Sequence, residues 1–597
     1  MVEIEQNQMP INIKEMTTKQ LESLSEKLRE EIVNTIKENG GHLSSNLGIV
    51  ETTIALFKVF DFSCDKIVFD VGHQCYAYKI LTDRANKFKT IRLEGGISGF
   101  PDREESEFDA FSVGHAGTSL SVGLGYCKAR DLQQQDYCVI NIVGDGAFSN
   151  GLNLEALSVS NKKPTNYIVI LNDNGMSISK NGNGFYNLIS KSTTKNVYVN
   201  SKKAIKKIFR NSFITRGLIR FRDFVKRILN KNSYIEGFGF KYVGIVDGNN
   251  IKKMVKILGR AKTYSKDKAV FLHIKTTKGK GFSKAETQAD LYHGVGKNFD
   301  TTSGEFSEKL GEALNKIIKE NKKVVAITAA MKDGTGLSAV EKEHPNNFID
   351  VGIAEEYAIT LSGGMAAGGL KPVVAIYSTF MQRAYDQILH DVCLQNLPVV
   401  FCLDRAGFVG RDGKTHQGLF DLSFLSHIPN LTILSPGSAE ELQGALEYAL
   451  SLNKPVAIRY PKNGKVENYP QKYFNGKWEW IKQGKKTVIL AVGPRMINLA
   501  KTCAENSKKD IGIVSCKSIK PLDESILLEI AKCKIITLEE NYSIGGFGSL
   551  VSAFYSKNNL STKVIVKGVE DCFVGHGSIE HQMNVNGFSV EEINELL

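Results

Sequence analysis

The sequence predicts an α/β protein of three consecutive αβ blocks on mostly parallel sheets, and three observations carry that prediction. Short β-rich apolar runs end in polar, glycine-rich loops, as Tyr137–Val143 does at Gly144-Asp145-Gly146 and Tyr167–Leu171 at Asn172-Asp173-Asn174. Stretches with apolar residues at helical spacing lie between such runs. The alternation then restarts twice, near Val324 and near Lys485-Lys486, so an architecture repeats although no short-period sequence repeat is present.

The elements follow in order. Lys19–Asn39 reads as a helix because Leu21, Leu24, Leu28, Ile32, Val33 and Ile36 share a face, and Gly40-Gly41 stops it. Order resumes at Phe238–Asp247 and at the strand Ala269–Lys275, before a linker around Thr301–Glu305. The second block has strands at Val324–Thr328, Pro372–Tyr377 and Pro398–Leu403. The third has Thr487–Val492, Ile511–Val514, Ile535–Thr537 and Val564–Lys567. The expected division is 1–304, 305–470 and 471–597.

Composition narrows the function classes. Of 597 residues, 42% are hydrophobic and 23% charged, an ordinary globular balance. The net charge of +12 favours anionic partners. Much of it sits in a basic segment, about 185–235, with Lys202, Lys203, Lys206, Lys207 and Arg210 among its residues. That segment reads as an insertion carrying one or two basic helices, either a solvated surface excursion or a lid over a phosphorylated substrate. No nucleic-acid-binding motif accompanies the charge, so no nucleic acid is expected. No apolar run reaches the ~18–20 residues of a membrane span. The ten cysteines form no Cys-x-x-Cys pair, and the first residues resemble neither a signal nor a transit peptide, so a cytoplasmic protein with free thiols is expected.

In parallel sheets, ligands bind beyond the carboxyl ends of the strands, where both polar loops fall. Asp145, the side-chain carbonyl of Asn174 and the backbone carbonyl of Met176 suit one Mg2+ ion, which prefers oxygen ligands and shares positions with phosphate oxygens. Gly144 and Gly146 let the backbone approach a diphosphate, and a helix beginning near Gly151 can turn its N-terminal dipole toward the same anion. Gly-Asp-Gly alone is commonly just a turn. Followed at this distance by Asn-x-Met-x-Ile-Ser, it has the shape of a thiamine-diphosphate motif.

With these motifs in hand, the chain resembles the 1-deoxy-D-xylulose-5-phosphate synthase family, within the transketolase-like thiamine-diphosphate enzymes. The residues that carry the resemblance are Gly41-His42-Leu43-Ser44-Ser45-Asn46-Leu47-Gly48, Asp70-Val71-Gly72-His73-Gln74, Gly114-His115-Ala116-Gly117-Thr118-Ser119, Asn172–Ser179, Tyr377–Gln387, Asp404-Arg405-Ala406-Gly407, Thr415-His416-Gln417-Gly418 and Arg459-Tyr460-Pro461. The likeness runs in order from about residue 18 to the C-terminus and weakens across 185–235. It implies a diphosphate-binding domain, a pyrimidine-binding domain and a transketolase-like C-terminal domain, in a homodimer. It also implies decarboxylative joining of pyruvate to D-glyceraldehyde 3-phosphate, with thiamine diphosphate and Mg2+ as cofactors.

The same resemblance assigns roles. Glu355 would be the carboxyl against the aminopyrimidine; read by itself, it is also a helix-start carboxylate that the dipole favours. The family usually continues with Gln and His, where this chain has Glu356 and Tyr357. Phe380 would stack on the pyrimidine and Ile178 would hold the cofactor bent, though both read equally as core residues. His73, Gly114, His115, Ala116, Gly146, Ala147 and Lys278 would lie along the cofactor. His42 and His416 would act on substrate oxygens, with His293 supplied by the loop after Lys278-Gly279-Lys280-Gly281. Arg383, Arg405 and Arg459 would meet a phosphate through paired hydrogen bonds, and Tyr377 and Asp412 the acceptor. A transketolase acting on ketose phosphates, or an inactive binding protein of the same fold, are the rival readings.

Overall fold

The computed structural model describes residues 12–159, 162–175, 233–469 and 474–597. Met176, Ile178 and nearly all of the basic segment 185–235 lie outside them. The chain separates into two compact units, Met1–Ile91 with Ile97–Thr301, and Arg92–Gly96 with Thr302–Leu597.

The first unit is built on a five-stranded, wholly parallel sheet in the order Lys66–Phe69, Val139–Gly144, Tyr167–Asp173, Val270–Lys275, Lys241–Asp247. Every residue of Tyr167–Asp173 is buried, which is why that strand reads as a continuous apolar run and not as an alternating one. Lys66–Phe69, only four residues long, gives no separate signal in the sequence. The first helix runs Thr18–Asn39. Thr17 and Gln20 form a capping box at its start. Leu21, Leu24, Leu28, Ile32 and Ile36 are buried along one face, each worth about 2 kcal/mol of burial. The helix ends at Gly40, where φ is +74° and a Cβ would stand 2.8 Å from the Val295 carbonyl.

The second unit holds two sheets. The larger runs Ser518–Lys520, Thr432–Leu434, Val456–Arg459, Val400–Asp404, Lys371–Tyr377, Val324–Thr328, Phe348–Asp350. It is parallel except for Ser518–Lys520, which is antiparallel to Thr432–Leu434. The smaller runs Glu479–Lys482, Ile511–Ser515, Thr487–Ala491, Lys534–Tyr542, Val564–Val569, with only Glu479–Lys482 antiparallel. Ser518–Lys520 thus lies between strands of the smaller sheet in sequence yet pairs with the larger one. One apolar cluster joins Val374, Ile376 and Phe401 of the larger sheet to Val488, Leu490 and Val514 of the smaller. The mostly parallel α/β architecture expected from the sequence is present. Among the described residues, no helix is long and apolar enough to cross a membrane.

Candidate active site

In the first unit, parallel pairing sets Gly144 beside Asn172, so the loops after these two strands leave the sheet together. Asp145 follows directly and is 5% exposed. Its Oδ1 accepts the Gly146 N–H at 2.9 Å, while its buried Oδ2 accepts no hydrogen bond from the described residues. Burial, and then the Asp173 carboxylate, push its acid up to about 6. A buried carboxylate oxygen left in this condition is costly unless a cation meets it. Among the described residues no three His, Cys, Asp or Glu groups are placed to hold a metal. The open Oδ2 of Asp145, with Asn174 on the loop after the adjacent strand, could serve an ion that takes few protein ligands and completes its shell with phosphate oxygens. The helix Gly151–Ser158 is capped by its own Asn150, whose Oδ1 takes the Leu152 N–H at 3.2 Å.

The loop Gly114–Ser119 is fixed by Asp70, which is 1% exposed at the end of a strand. Asp70 Oδ1 accepts Gly117 N–H at 2.7 Å, and Oδ2 accepts Ser119 N–H at 3.1 Å and Asn153 Nδ2 at 3.2 Å. His115 is carried on this loop, with Gly114 and Ala116 buried on either side of it. Ala147 is buried and Gly146 partly so in the short helix that Asp145 opens.

Three of the predicted histidines come together. Gly41–His42 pairs antiparallel with Gly294–Val295, which brings His42 to His293. The ring centroids of His42, His73 and His293 are 5.4 Å (His42–His73), 5.6 Å (His42–His293) and 5.0 Å (His73–His293) apart. Ser45 Oγ lies 3.2 Å from His293 Nδ1. Burial, then Lys278 and the other two rings, hold His293 well below the usual histidine range, so it is neutral near pH 7. Lys278, itself buried, pairs with Asp290 at 3.1 Å.

In the second unit, Glu355 opens the helix Glu355–Ala367 and is 3% exposed. Its Oε2 accepts no hydrogen bond from the described residues, and the nearest cation is Arg383 Nη1 at 3.7 Å. Burial pushes the acid up to about 7 against the opposing pull of Arg383. The helix approaches its neighbours on small residues: a Cβ on Gly363 would stand 3.2 Å from the Asp391 carbonyl.

Other predicted residues of this unit form a layered group. The Arg405 guanidinium lies 4.2 Å over the Tyr377 ring, Tyr377 stacks on Phe380 at 5.9 Å, and His416 meets Phe380 edge-on at 5.5 Å. Burial lowers the His416 acid, with Asp412 opposing. Arg405 also donates to Gly334 O at 2.6 Å and Asp404 Oδ1 at 2.6 Å. Asp412 pairs with Arg92 at 2.7 Å. Arg459 is buried and donates to Asp421 Oδ2 at 2.9 Å and Glu540 O at 3.0 Å.

Comparison with known proteins supplies the remaining observation. Residues 4–276 match the family described as 1-deoxy-D-xylulose-5-phosphate synthase, residues 304–465 the transketolase pyrimidine binding domain, and residues 476–593 the transketolase C-terminal domain. The proteins named 1-deoxy-D-xylulose-5-phosphate synthase from Clostridium tetani and Clostridium perfringens are each 44% identical to this chain. The first match covers 98% of this chain and 97% of the relative, the second 98% of each. The namesake from Carboxydothermus hydrogenoformans is 44% identical over 99% of this chain and 98% of its own. The chain belongs to the 1-deoxy-D-xylulose-5-phosphate synthase family.

Of the three successive residues Glu355, Glu356 and Tyr357, the first is buried, the second partly exposed and the third 58% exposed. Three residues that shape these sites escape sequence reasoning. Asp70 carries a faint signal, an Asp two residues before a glycine. Asn46 sits inside a synthase-like motif with nothing to mark its task. Arg92 lies 320 positions from its partner Asp412, and no local pattern announces such a pair.

Proposed function

We propose that this chain is a thiamine-diphosphate-dependent transferase that condenses pyruvate with D-glyceraldehyde 3-phosphate, releasing carbon dioxide and forming 1-deoxy-D-xylulose 5-phosphate. The observation that carries the reading is Glu355: a buried carboxyl at a helix start, its acid raised to about 7 and one oxygen with no hydrogen bond from the described residues. Such a group can share a proton with a ring nitrogen at neutral pH. Thiamine diphosphate, when bound, supplies the electron sink for decarboxylation and carries the two-carbon fragment.

The chain's own residues supply binding, orientation and proton transfer. Asp145, Asn174 and Met176 would hold Mg2+ for the diphosphate, and His73, Gly114, His115, Ala116, Gly146, Ala147 and Lys278 would lie along the cofactor. Glu355 would hold the pyrimidine proton, Phe380 would stack on that ring and Ile178 would pack against the cofactor. His42, His293 and His416 exchange protons with substrate oxygens, the neutral state of His293 fitting it to accept one. Tyr377, Arg383, Arg405, Asp412 and Arg459 orient the phosphorylated aldehyde. The divisions 1–304, 305–470 and 471–597 serve as diphosphate, pyrimidine and C-terminal domains. The protein works as a homodimer in the cytoplasm, a compartment that keeps its ten cysteines as thiols.

The test supplies purified chain with Mg2+, thiamine diphosphate, pyruvate and D-glyceraldehyde 3-phosphate and measures carbon dioxide and the five-carbon product. Turnover confined to ketose phosphate donors would instead identify a transketolase. Absence of cofactor uptake by calorimetry would identify a binding protein of this fold and overturn the assignment.

A further inference from the structure

Asn46 stands between the two segments that carry His42 and His73. Its side chain is fully buried. Nδ2 donates to the main-chain carbonyls of His42 and of His73, each at 2.7 Å, and Oδ1 accepts the Tyr76 N–H at 2.8 Å. Tyr76 returns to the same place, its hydroxyl accepting the His42 N–H at 3.2 Å. Two donors and one acceptor, all used, are what a primary amide can offer and a carboxylate or hydroxyl cannot. The two tethered carbonyls belong to the very residues whose rings lie 5.4 Å apart and close on His293.

We propose that Asn46 is a positioning residue for the histidine pair: by clamping the backbones of His42 and His73 to one buried amide, it fixes the separation and tilt at which the two rings meet substrate and cofactor. The proposal rests on the synthase reading, which gives those histidines their roles. A misplacement on the scale of 1 Å costs about 100-fold in rate even when the moved group keeps its chemistry.

Two variants of the full chain decide it. Asn46→Asp keeps an acceptor for Tyr76 N–H but sets a carboxylate oxygen against two carbonyls, whereas Asn46→Ala removes all three bonds. Both should lower kcat for carbon dioxide release by about 100-fold, with KM moving far less. Both should also shift the His42 and His73 signals in the spectrum of 13Cε1-histidine-labelled protein without substrate, with signals assigned from His42→Ala and His73→Ala. If Asn46→Asp retains the parent kcat and histidine spectrum, Asn46 serves only the Tyr76 N–H and the proposal is overturned. It is equally overturned if the rate loss matches the loss of folded protein in thermal melts. Should the parent chain release no carbon dioxide, the synthase reading fails by itself, and the histidine spectra still decide whether Asn46 positions the rings.

Discussion

Arg383 Nη1 lies 3.7 Å from Glu355 Oε2, close enough to act on that carboxyl's charge and too far to hydrogen-bond it. The guanidinium therefore tempers a carboxyl that burial drives toward its neutral form. Replacing it by Met, similar in reach and uncharged, should raise the Glu355 acid above about 7. The difference in unfolding free energy between Arg383→Met and Arg383→Met/Glu355→Gln, followed against pH, gives that value. A result at or below the one from the parent pair would show that Arg383 does not act on Glu355.

Glu355 itself should cost stability at high pH. A carboxyl that holds its proton more tightly folded than unfolded destabilises the fold as pH rises. The penalty is absent below about 4.5 and complete above about 7. Its full size is about 3 kcal/mol. Cofactor-free Glu355→Gln should thus be more stable than the parent at pH 8 by up to that amount, and nearly equal at pH 4.5, while losing turnover. Urea unfolding at the two pH values checks it, and equal gains at both would refute the charge argument.

Asp145→Ala should abolish magnesium-dependent uptake of thiamine diphosphate in calorimetry. Removing the carboxyl relieves a buried acid pushed up to about 6 but orphans the Gly146 N–H that Oδ1 accepts, and because the two effects oppose, the melting temperature of the cofactor-free protein should change little. Uptake within a few-fold of the parent would remove Asp145 from the metal site.

Asp70→Ala strips acceptors from the Gly117 and Ser119 N–H groups and from the Asn153 amide in a buried setting. Each orphaned donor costs about 1–3 kcal/mol, so the loss should exceed about 3 kcal/mol. Asp70→Asn keeps one acceptor oxygen and should lose less. Chemical denaturation of both variants measures the difference, and equal losses would mean that the charge, not the acceptor geometry, holds the loop.

Much of this protein could be read from the order of its residues. Apolar runs at Val324–Thr328 and Tyr167–Leu171 coincide with strands because a strand buried on both faces must be apolar throughout, a local requirement visible in any window. Gly144-Asp145-Gly146 at a strand end and Glu355 at a helix start were legible for a similar reason, since such boundaries are short-range signals. The strand Lys66–Phe69 was too short to register, and Ser518–Lys520 joins a sheet that its sequence neighbours do not.

The sequence by itself determined the αβ alternation, the loops that bear the chemistry and the family to which they belong. Only the tertiary structure decided which side chains meet. Asn46 grips His42 and His73, Arg383 faces Glu355 while Arg459 turns to Asp421, and Arg92 finds Asp412. Propensity and periodicity act over one turn or one strand, whereas a hydrogen bond between distant residues depends on the packing of every element between them.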